Sequence, residues 1–572
     1  MRWTLKPKPD PIKVAHLEKE LRVETSTANL LVQRGIETFK EAKDFFRPNL
    51  NDLYDPFLMK DMEKAVTRIE AAITAEENIL IYGDYDVDGT TSVALLSSYL
   101  LTTYPNVATY IPDRYGEGYG ISFKGIDFAE DNDFSLIIAL DCGIKAIDKV
   151  EYASKKGIDF IICDHHRPGS EIPKAVAVLD PKREDCNYPF KELCGCGVGF
   201  KLVQALASKK GETIDDLILY LDLVATAIGA DIVPIVDENR ILAYHGLQVI
   251  NNNPRPGFKA ILQQVKKKVL TITDVVFIIA PRINAAGRMK HGNHAVTLLS
   301  ETDQNLAAEY AVDIDQFNTD RREADKQITI EALAQIEAND EKEGFTTVVY
   351  NENWHKGVIG IVASRLTETY YRPTLVFTKS GDVLAASARS VKGFDVYNAL
   401  EACSEFIQQF GGHKYAAGLT LLEENYEGFK AQFEKVVSET IDPKLLIPEI
   451  KIDAQINLTD ITPKFYRILS QFAPFGPGNM TPVFMTEDLQ DTGYGKQVGE
   501  DKTHLRFTAT QSISVAERSR SSHNKLVGIG FGLGDKLDLI SERKLFKATY
   551  TIDENEWNGN VSLQLKVKDI KE

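Results

Sequence analysis

The sequence predicts a multidomain α/β protein: a parallel-sheet domain, a long connecting helix, a second α/β domain and a C-terminal β-barrel of the OB type. Three observations predict it. Four short apolar runs, ILIYGD (79–84), SLIIALD (135–141), IDFIICD (158–164) and AVAVLD (175–180), each end on an aspartate and alternate with helical patterns. Residues Asp303 to Glu343 contain neither Gly nor Pro. From about residue 448 onward the patterns are of the β type.

Residues 1–75 read as short helices broken by a loop at Arg47-Pro48. Runs that are apolar throughout, rather than alternating, are strands buried on both faces, as in a parallel sheet covered by helices. VALLSSYLL (93–101) is one of those helices, and the domain is placed at 76–302. Within 303–343, Leu306, Tyr310, Ile314 and Phe317 recur at helical spacing. The centre of this helix, NTDRREADKQ (318–327), has no apolar face. A helix polar all round typically bridges domains through solvent, so a boundary falls here. TTVVY (346–350) and TLVFT (374–378) read as strands flanking the Gly-opened helix KGVIGIVASRL, which defines a second α/β domain at 344–445. PVFMTEDL, HLRFTATQ, KLVGIGFGLG, LFKATYTIDE and VSLQLKVKDI supply five strands of a small barrel at 446–572.

Composition is that of an ordinary globular protein, 43% hydrophobic and 26% charged. No apolar run reaches the ~18 residues of a membrane span. The opening MRWTLKPKPDP lacks the apolar core of a signal peptide. The six cysteines include a cluster, Cys186, Cys194 and Cys196, without the spaced pairs that zinc takes. They read as reduced, buried thiols, and the expected location is the cytoplasm. A net charge of −17 argues against broad nucleic-acid binding, although a basic groove or bound cations reverse the sign locally. Lys266-Lys267-Lys268 reads first as a solvated face and second as added positive field.

The chemistry gathers where ligands of such sheets bind, at the carboxyl ends of the strands. GDYDVDGTTS (83–92) spaces Asp84, Asp86 and Asp88 like the start of a calcium-binding EF-hand loop. That loop needs a glutamate at position 12, where this chain has Leu95, and a helix before it, where this chain has a strand. The calcium reading is excluded. Gly89 is expected to let the chain turn tightly into a helix beginning near Thr90. To the three aspartates are added Asp141 in LDCGI, Asp164-His165-His166, and Asp231 after the apolar run LVATAIGADIVPI (223–235). A single aspartate after a strand is a common turn or cap residue, and a single histidine is commonly structural. Four such aspartates on consecutive strands, with two adjacent histidines, point elsewhere. Carboxylates so crowded repel one another unless cations hold them. Mixed carboxylate and imidazole donors suit Mn²⁺, or Mg²⁺ with less preference for histidine. Two such ions clamp a phosphate and generate hydroxide, so the expected chemistry is phosphoester hydrolysis.

GDYDVDG, LDCG, DHH and GAD (229–231), in that order, resemble the DHH phosphoesterase superfamily. APRINAAGRM (280–289), WHKGVIGIVASRL (354–366), SARS (387–390), GGHKYAAG (411–418) and PFGPGNMTPVF (474–484) narrow the likeness to its branch of single-strand-specific 5′→3′ DNA exonucleases. EWNGNVSLQLKVKDI (556–570) resembles the end of that branch's OB domain. The likeness is collinear from about residue 75 to the end. GGHKYAAG resembles the signature of a DHH-associated domain. Taken from its residues alone, it is equally a tight helix–loop packing motif that exposes only His413.

The resemblance implies roles. Asp86 and Asp141, with Asp84, hold one metal ion. Asp88, Asp141, His165 and Asp231 hold a second, with Asp141 bridging, and Asp141, His165 and His166 are the catalytic set. His166 lies near the scissile phosphate or supports its neighbour. More distant superfamily members carry a histidine at the place of Tyr82, which leaves Asp84 to compensate. Arg114 on the Gly-rich loop IPDRYGEGYG, and Arg282, Asn284 and Arg288, present groups suited to phosphate oxygens. Ser387, Arg389 and His413 of the second domain grip the 5′ end. The implied cofactors are two Mn²⁺ or Mg²⁺ ions. The implied substrate is single-stranded DNA, threaded between domains too close for a duplex and bound further by the barrel. The implied setting is repair and recombination, beside a helicase and a single-strand-binding protein, with no membrane and a monomeric chain. The alternative is a DHH oligonucleotidase or small phosphodiesterase acting on short RNA or nucleotide phosphates, but such chains lack the barrel. A binding protein with a decayed site would have lost motif residues that are intact here.

Overall fold

The computed structural model describes residues 1–263, 265–511, 525–557 and 559–572. The chain forms two compact units: Met1–Asp52 with Pro234–Val236 and Glu449–Glu572, and Leu53–Val233 with Asp237–Pro448.

The larger unit begins with a five-stranded, fully parallel sheet. Its order is Val107–Tyr110, Asn78–Gly83, Phe134–Leu140, Asp159–Cys163, Ala177–Leu179. Leu80, Tyr82, Ile137, Ala139 and Ile162 pack against Ile126, Ala129, Val150 and Ala153 from two helices on one face. The alternate residues Ile79, Ile81, Leu136 and Ile138 are equally buried, so both faces are covered. That is the physical meaning of uninterrupted apolar runs. Every strand carboxyl end therefore opens on one edge, which is where the aspartates stand.

The helix Gln304–Ala338 follows, about 50 Å long at 1.5 Å per residue. It departs from the expected solvent bridge. Asn318, Asp325 and Ile328 in its centre are buried, and Arg365 donates two-pronged hydrogen bonds to Asp325. A polar stretch is buried here because its partner is an arginine from a helix 40 residues on in sequence. The second α/β domain is a five-stranded sheet of order Ile407–His413, Ala416–Leu421, Val383–Arg389, Thr374–Ser380, Thr347–Tyr350. Only its last pair is parallel. GGHKYAAG forms its edge hairpin, not a helix–loop motif, because Gly412 at φ +145° and small alanines suit a tight antiparallel pair.

In the smaller unit, five strands close a ring. Phe484–Asp491 pairs with His504–Gln511, then Leu526–Gly530, Asn560–Lys571, Leu545–Trp557 and back to Phe484–Asp491. In chain order this is 1-2-3-5-4-1 with strands 3 and 5 parallel, a five-stranded Greek-key barrel of the OB kind. Residues 1–75 do not stay together. Val14, Leu17, Leu30 and Leu31 share the core of the barrel with Phe465, Phe484 and Tyr550. The helix Met62–Thr74 instead packs against the first parallel sheet and its helix Gly195–Lys209. The strand Arg2–Leu5, which the sequence did not signal, pairs with Glu449–Ile452. Among the described residues, no helix is long and apolar enough to cross a membrane. The motif at 556–570 runs through Asn558, which lies outside the described residues.

Candidate active site

Four strand ends, one helix start and one helix end carry the acids. Asp141 follows Phe134–Leu140 at φ +60°, a left-handed conformation uncommon for a residue with a Cβ. It turns the carboxylate back over the sheet edge. Asp164 follows Asp159–Cys163, and its two oxygens collect four donors. Oδ1 accepts from the amides of His165 (2.7 Å) and His166 (3.1 Å) and pairs with His166 Nδ1 (2.8 Å). Oδ2 accepts from the Ile144 amide at 2.8 Å. Burial pushes this carboxyl up, but these bonds outweigh it and hold it down to about 2. Burial pulls His166 down, and the bond it donates to the Asp164 carboxylate overrides this and lifts it to about 9. Asp164 is thus the fixed point of the Asp-His-His segment, a duty the sequence did not reveal.

Asp88 lies in the first turn of the helix Val87–Leu100, which starts three residues earlier than expected and is capped by Asp86 through the Gly89 amide (3.0 Å). Gly89 is therefore inside the helix, not at a turn. Its missing Cβ matters because one would fall on the Asp84 backbone. The Asp88 oxygens accept the amides of Gly195 and Cys196, both at 2.7 Å, at the start of the helix Gly195–Lys209. A Cβ on Gly195 would fall on the Asp141 side chain. The glycine-rich opening GCGVG (195–199) was the available signal, since helix N-termini hold anions. All six cysteines are free and buried. Asp231 arrives differently from the others, as the C-terminal cap of the helix Leu221–Ala230.

His165 is the meeting point. Its Nε2 lies 3.2 Å from Asp141 Oδ1, 3.7 Å from Asp231 Oδ2 and 3.8 Å from Asp88 Oδ2. Two close sets of possible ligand atoms result, Asp141–His165–His166 and Asp88–His165–Asp231. Neither set includes Asp84 or Asp86. Asp84 is fully buried, with Oδ1 accepting the Gly120 amide at 3.2 Å. The Tyr82 hydroxyl donates to the carbonyl of the same Gly120 at 2.9 Å. Tyr82 and Asp84 together anchor the glycine-rich loop that carries Arg114.

The donor set fits divalent cations. Asp84 Oδ2, Asp141 Oδ1 and both ring nitrogens of His165 are buried without a hydrogen-bond partner among the described residues. Burial, followed by neighbouring acids, raises Asp84 and Asp141 well above the usual carboxylate range and pushes Asp88 up to about 7 and Asp231 up to about 6. Burial lowers His165, which leaves a neutral imidazole, the form that ligates metals. Asp180, at the fourth apolar run, is buried and raised to about 7 by burial, but joins neither set.

A second group is cationic. The Arg114 guanidinium stacks 4.6 Å over the Tyr85 ring. Burial, then Arg114, Arg389 and Arg321, lowers Arg288 to about 10, so these guanidiniums crowd one another. Arg288 Nη1 donates to the Gly357 carbonyl at 3.1 Å, and Arg389 Nη1 donates to Ser387 Oγ at 2.9 Å. Arg389, Ala416 and His413 lie in one register across three strands, which places His413 about 10 Å from Arg389 on the same sheet face. Asn284 lies four residues before Arg288, on the same side of the helix Ala280–Met289. Arg282 does not join this group. Its Nε donates to Asp315 of the long helix at 2.6 Å and its Nη1 to the Ile278 carbonyl at 2.7 Å. The Lys266–Lys268 triplet is exposed, with Lys267 paired to Asp274.

The sheet edge with its Asp-His-His segment defines a DHH-type protein. The family model described as DHH family, N-terminal domain, matches residues 78–228; those of the DHHA1 domain and the RecJ OB domain match 343–439 and 452–569. The chain belongs to the RecJ family. It is 36% identical over 575 residues to the single-stranded-DNA-specific exonuclease RecJ of Bacillus subtilis, covering all of this chain and 70% of that one. It is 31% identical over 554 residues to RecJ of Haemophilus influenzae, covering 93% and 94%. Its fold matches the crystal structure of RecJ in complex with Mn²⁺ from Thermus thermophilus, with a TM-score of 0.84 and 25% identity over all of this chain and 79% of that one.

Proposed function

We propose that this protein is an exonuclease that hydrolyses single-stranded DNA from the 5′ end, with two divalent cations, in repair and recombination. The observation that carries the reading is His165, a neutral, unbonded imidazole within 3.8 Å of three carboxylates. Asp88, Asp141, Asp231 and His165 would hold one cation, and Asp86 and Asp141 the other, with Asp84 as their support through Gly120. Bound Mn²⁺ or Mg²⁺ would supply an activated water and neutralise charge on the scissile phosphate.

The chain's own residues do the rest. The amides of Gly195 and Cys196 fix the Asp88 carboxylate. Asp164 orients His166 through Nδ1 and leaves Nε2 to meet a phosphate oxygen. Arg114, Arg288 and Arg389 hold the 5′-terminal phosphates, which sets the polarity. Ser387, Asn284 and His413 add neutral contacts. The aromatic and basic surface of an OB barrel suits single strands by stacking and charge. The reading includes a monomer in the cytoplasm that works beside a helicase and a single-strand-binding protein.

The test is hydrolysis of end-labelled strands with Mn²⁺. Release of 5′-terminal nucleotides from single strands, abolished by chelation and slow on blunt duplex, is the expected result. Equal rates on blunt duplex would remove the threading idea, and release from the 3′ end would remove the polarity.

A further inference from the structure

Asp325 stands in the polar centre of the long helix, yet it is 1% exposed. Arg365 Nε donates to its Oδ1 at 2.8 Å and Arg365 Nη2 to its Oδ2 at 2.7 Å. Arg365 belongs to the helix Ile359–Tyr370 of the second domain. Two more polar ties join the same partners. The Trp354 indole donates to Glu331 at 2.8 Å, and the Gln335 side chain exchanges bonds with the Tyr350 backbone at 3.1 and 3.2 Å. Between them Ile328, Ala332 and Ile336 pack on Val358, Ile359 and Val362. Apolar contacts tolerate sliding, whereas a two-pronged guanidinium–carboxylate pair has one geometry.

The other end of Ile359–Tyr370 is where the cationic group assembles. The carbonyl of Gly357, just before this helix, accepts from Arg288, and a Cβ there would come within 2.7 Å of the Arg288 carbonyl oxygen. The Tyr115 hydroxyl donates to that same Arg288 carbonyl. A Cβ on Gly360 would lie 3.0 Å from both Arg389 Nη2 and Ser387 Oγ. Contacts this tight pass any shift of the helix directly to Arg288, Arg389 and Ser387. Arg365 lies about one and a half turns along from Gly360 on the same helix.

We propose that Asp325 and Arg365 are positioning residues for the nuclease reaction: their ion pair sets the place of the helix Ile359–Tyr370 on the long helix, and through it the spacing of Arg288, Arg389 and Ser387. The proposal rests on the reading that those three side chains hold the 5′ end. Neither Asp325 nor Arg365 belongs to the metal-ligating sets.

The test compares Arg365→Gln, Asp325→Asn, the double variant and Arg365→Lys in the full chain, by steady-state hydrolysis of a 5′-phosphorylated single strand and by Mn²⁺ titration. KM is expected to rise about tenfold in each of the first two, with kcat and Mn²⁺ affinity within about twofold. Arg365→Lys should recover part of the loss. The double variant should be no worse than either single, since both act through one contact. A variant that only lost folded molecules would lower kcat and leave KM alone. An unchanged KM in Arg365→Gln, whose side chain is half-exposed and simple to replace, overturns the proposal. So do single effects that multiply in the double variant. Arg389→Ala, run alongside, separates the two layers: a raised KM there with none in Arg365→Gln overturns the positioning role alone, and no rise in either overturns the grip reading as well.

Discussion

His165 Nε2 lies 3.2 Å from Asp141 Oδ1, and the two atoms do not form a hydrogen bond. Both are buried, and neither has another partner among the described residues. Two buried polar atoms this close, with no hydrogen bond between them, are arranged around something else. A cation between them satisfies both at once.

Asp141→Ala should therefore abolish hydrolysis, with at least a ~1,000-fold loss in kcat, and should remove the stabilisation that Mn²⁺ gives to thermal unfolding. Asp164→Asn should cost less, about 10–100-fold, as for residues that orient a ligand without touching the metal. Rates and melting temperatures with and without Mn²⁺ check both. An active Asp141→Ala would refute the shared-ligand assignment.

Gly195→Ala should behave like loss of a ligand although it adds only a methyl group. The Cβ would occupy space held by the Asp141 carboxylate and disturb the amides that fix Asp88. Mn²⁺ affinity should fall at least about tenfold while far-ultraviolet circular dichroism stays unchanged. Calorimetric titration reads the affinity.

The site should make the metal-free protein respond to pH in a defined direction. Asp88 and Asp231 hold protons in the fold up to about 7 and 6, whereas unfolded aspartate releases its proton near 3.8. The folded state binds more protons across this window, so metal-free stability from these groups rises as pH falls from about 7 toward 4, and the full penalty stands above 7. Mn²⁺ must displace those protons, so its apparent affinity should weaken by about tenfold or more between pH 7.5 and 6. Asp88→Asn should flatten the stability trend. Melting curves of the metal-free protein at several pH values, wild type against Asp88→Asn, decide it.

Arg282→Ala should act on stability and not on substrate. Its guanidinium is spent on Asp315 and the Ile278 carbonyl, both side chains of the ion pair being mostly buried. Unfolding in urea should show a loss of about 1–3 kcal/mol, as for a hydrogen bond to a charged group. KM for a single strand should change less than about twofold, against the rise expected for Arg389→Ala. A large KM change with unaltered stability would return Arg282 to the substrate-binding group.

Sequence by itself determined the doubly covered parallel sheet, the barrel and the row of strand-end acids. These follow from local rules: an uninterrupted apolar run has to be buried on both faces, and a chain leaving such a strand turns on polar residues at its carboxyl end. The long helix was legible too, from 41 residues without a breaker, but the environment of its centre was not. Only the tertiary structure decided that Asp325 is buried, that Arg282 faces Asp315, that Asp164 anchors the two histidines and that Gly195 lies beneath Asp141. It also showed that the apolar run before Asp231 is a helix, with Asp231 at its end, and moved Gly89 from a turn into a helix. Each of these depends on which distant surface arrives opposite a residue. The partner lies 20 to 107 residues away for Asp164 with Ile144 and for Asp88 with Gly195, and no local pattern encodes that meeting.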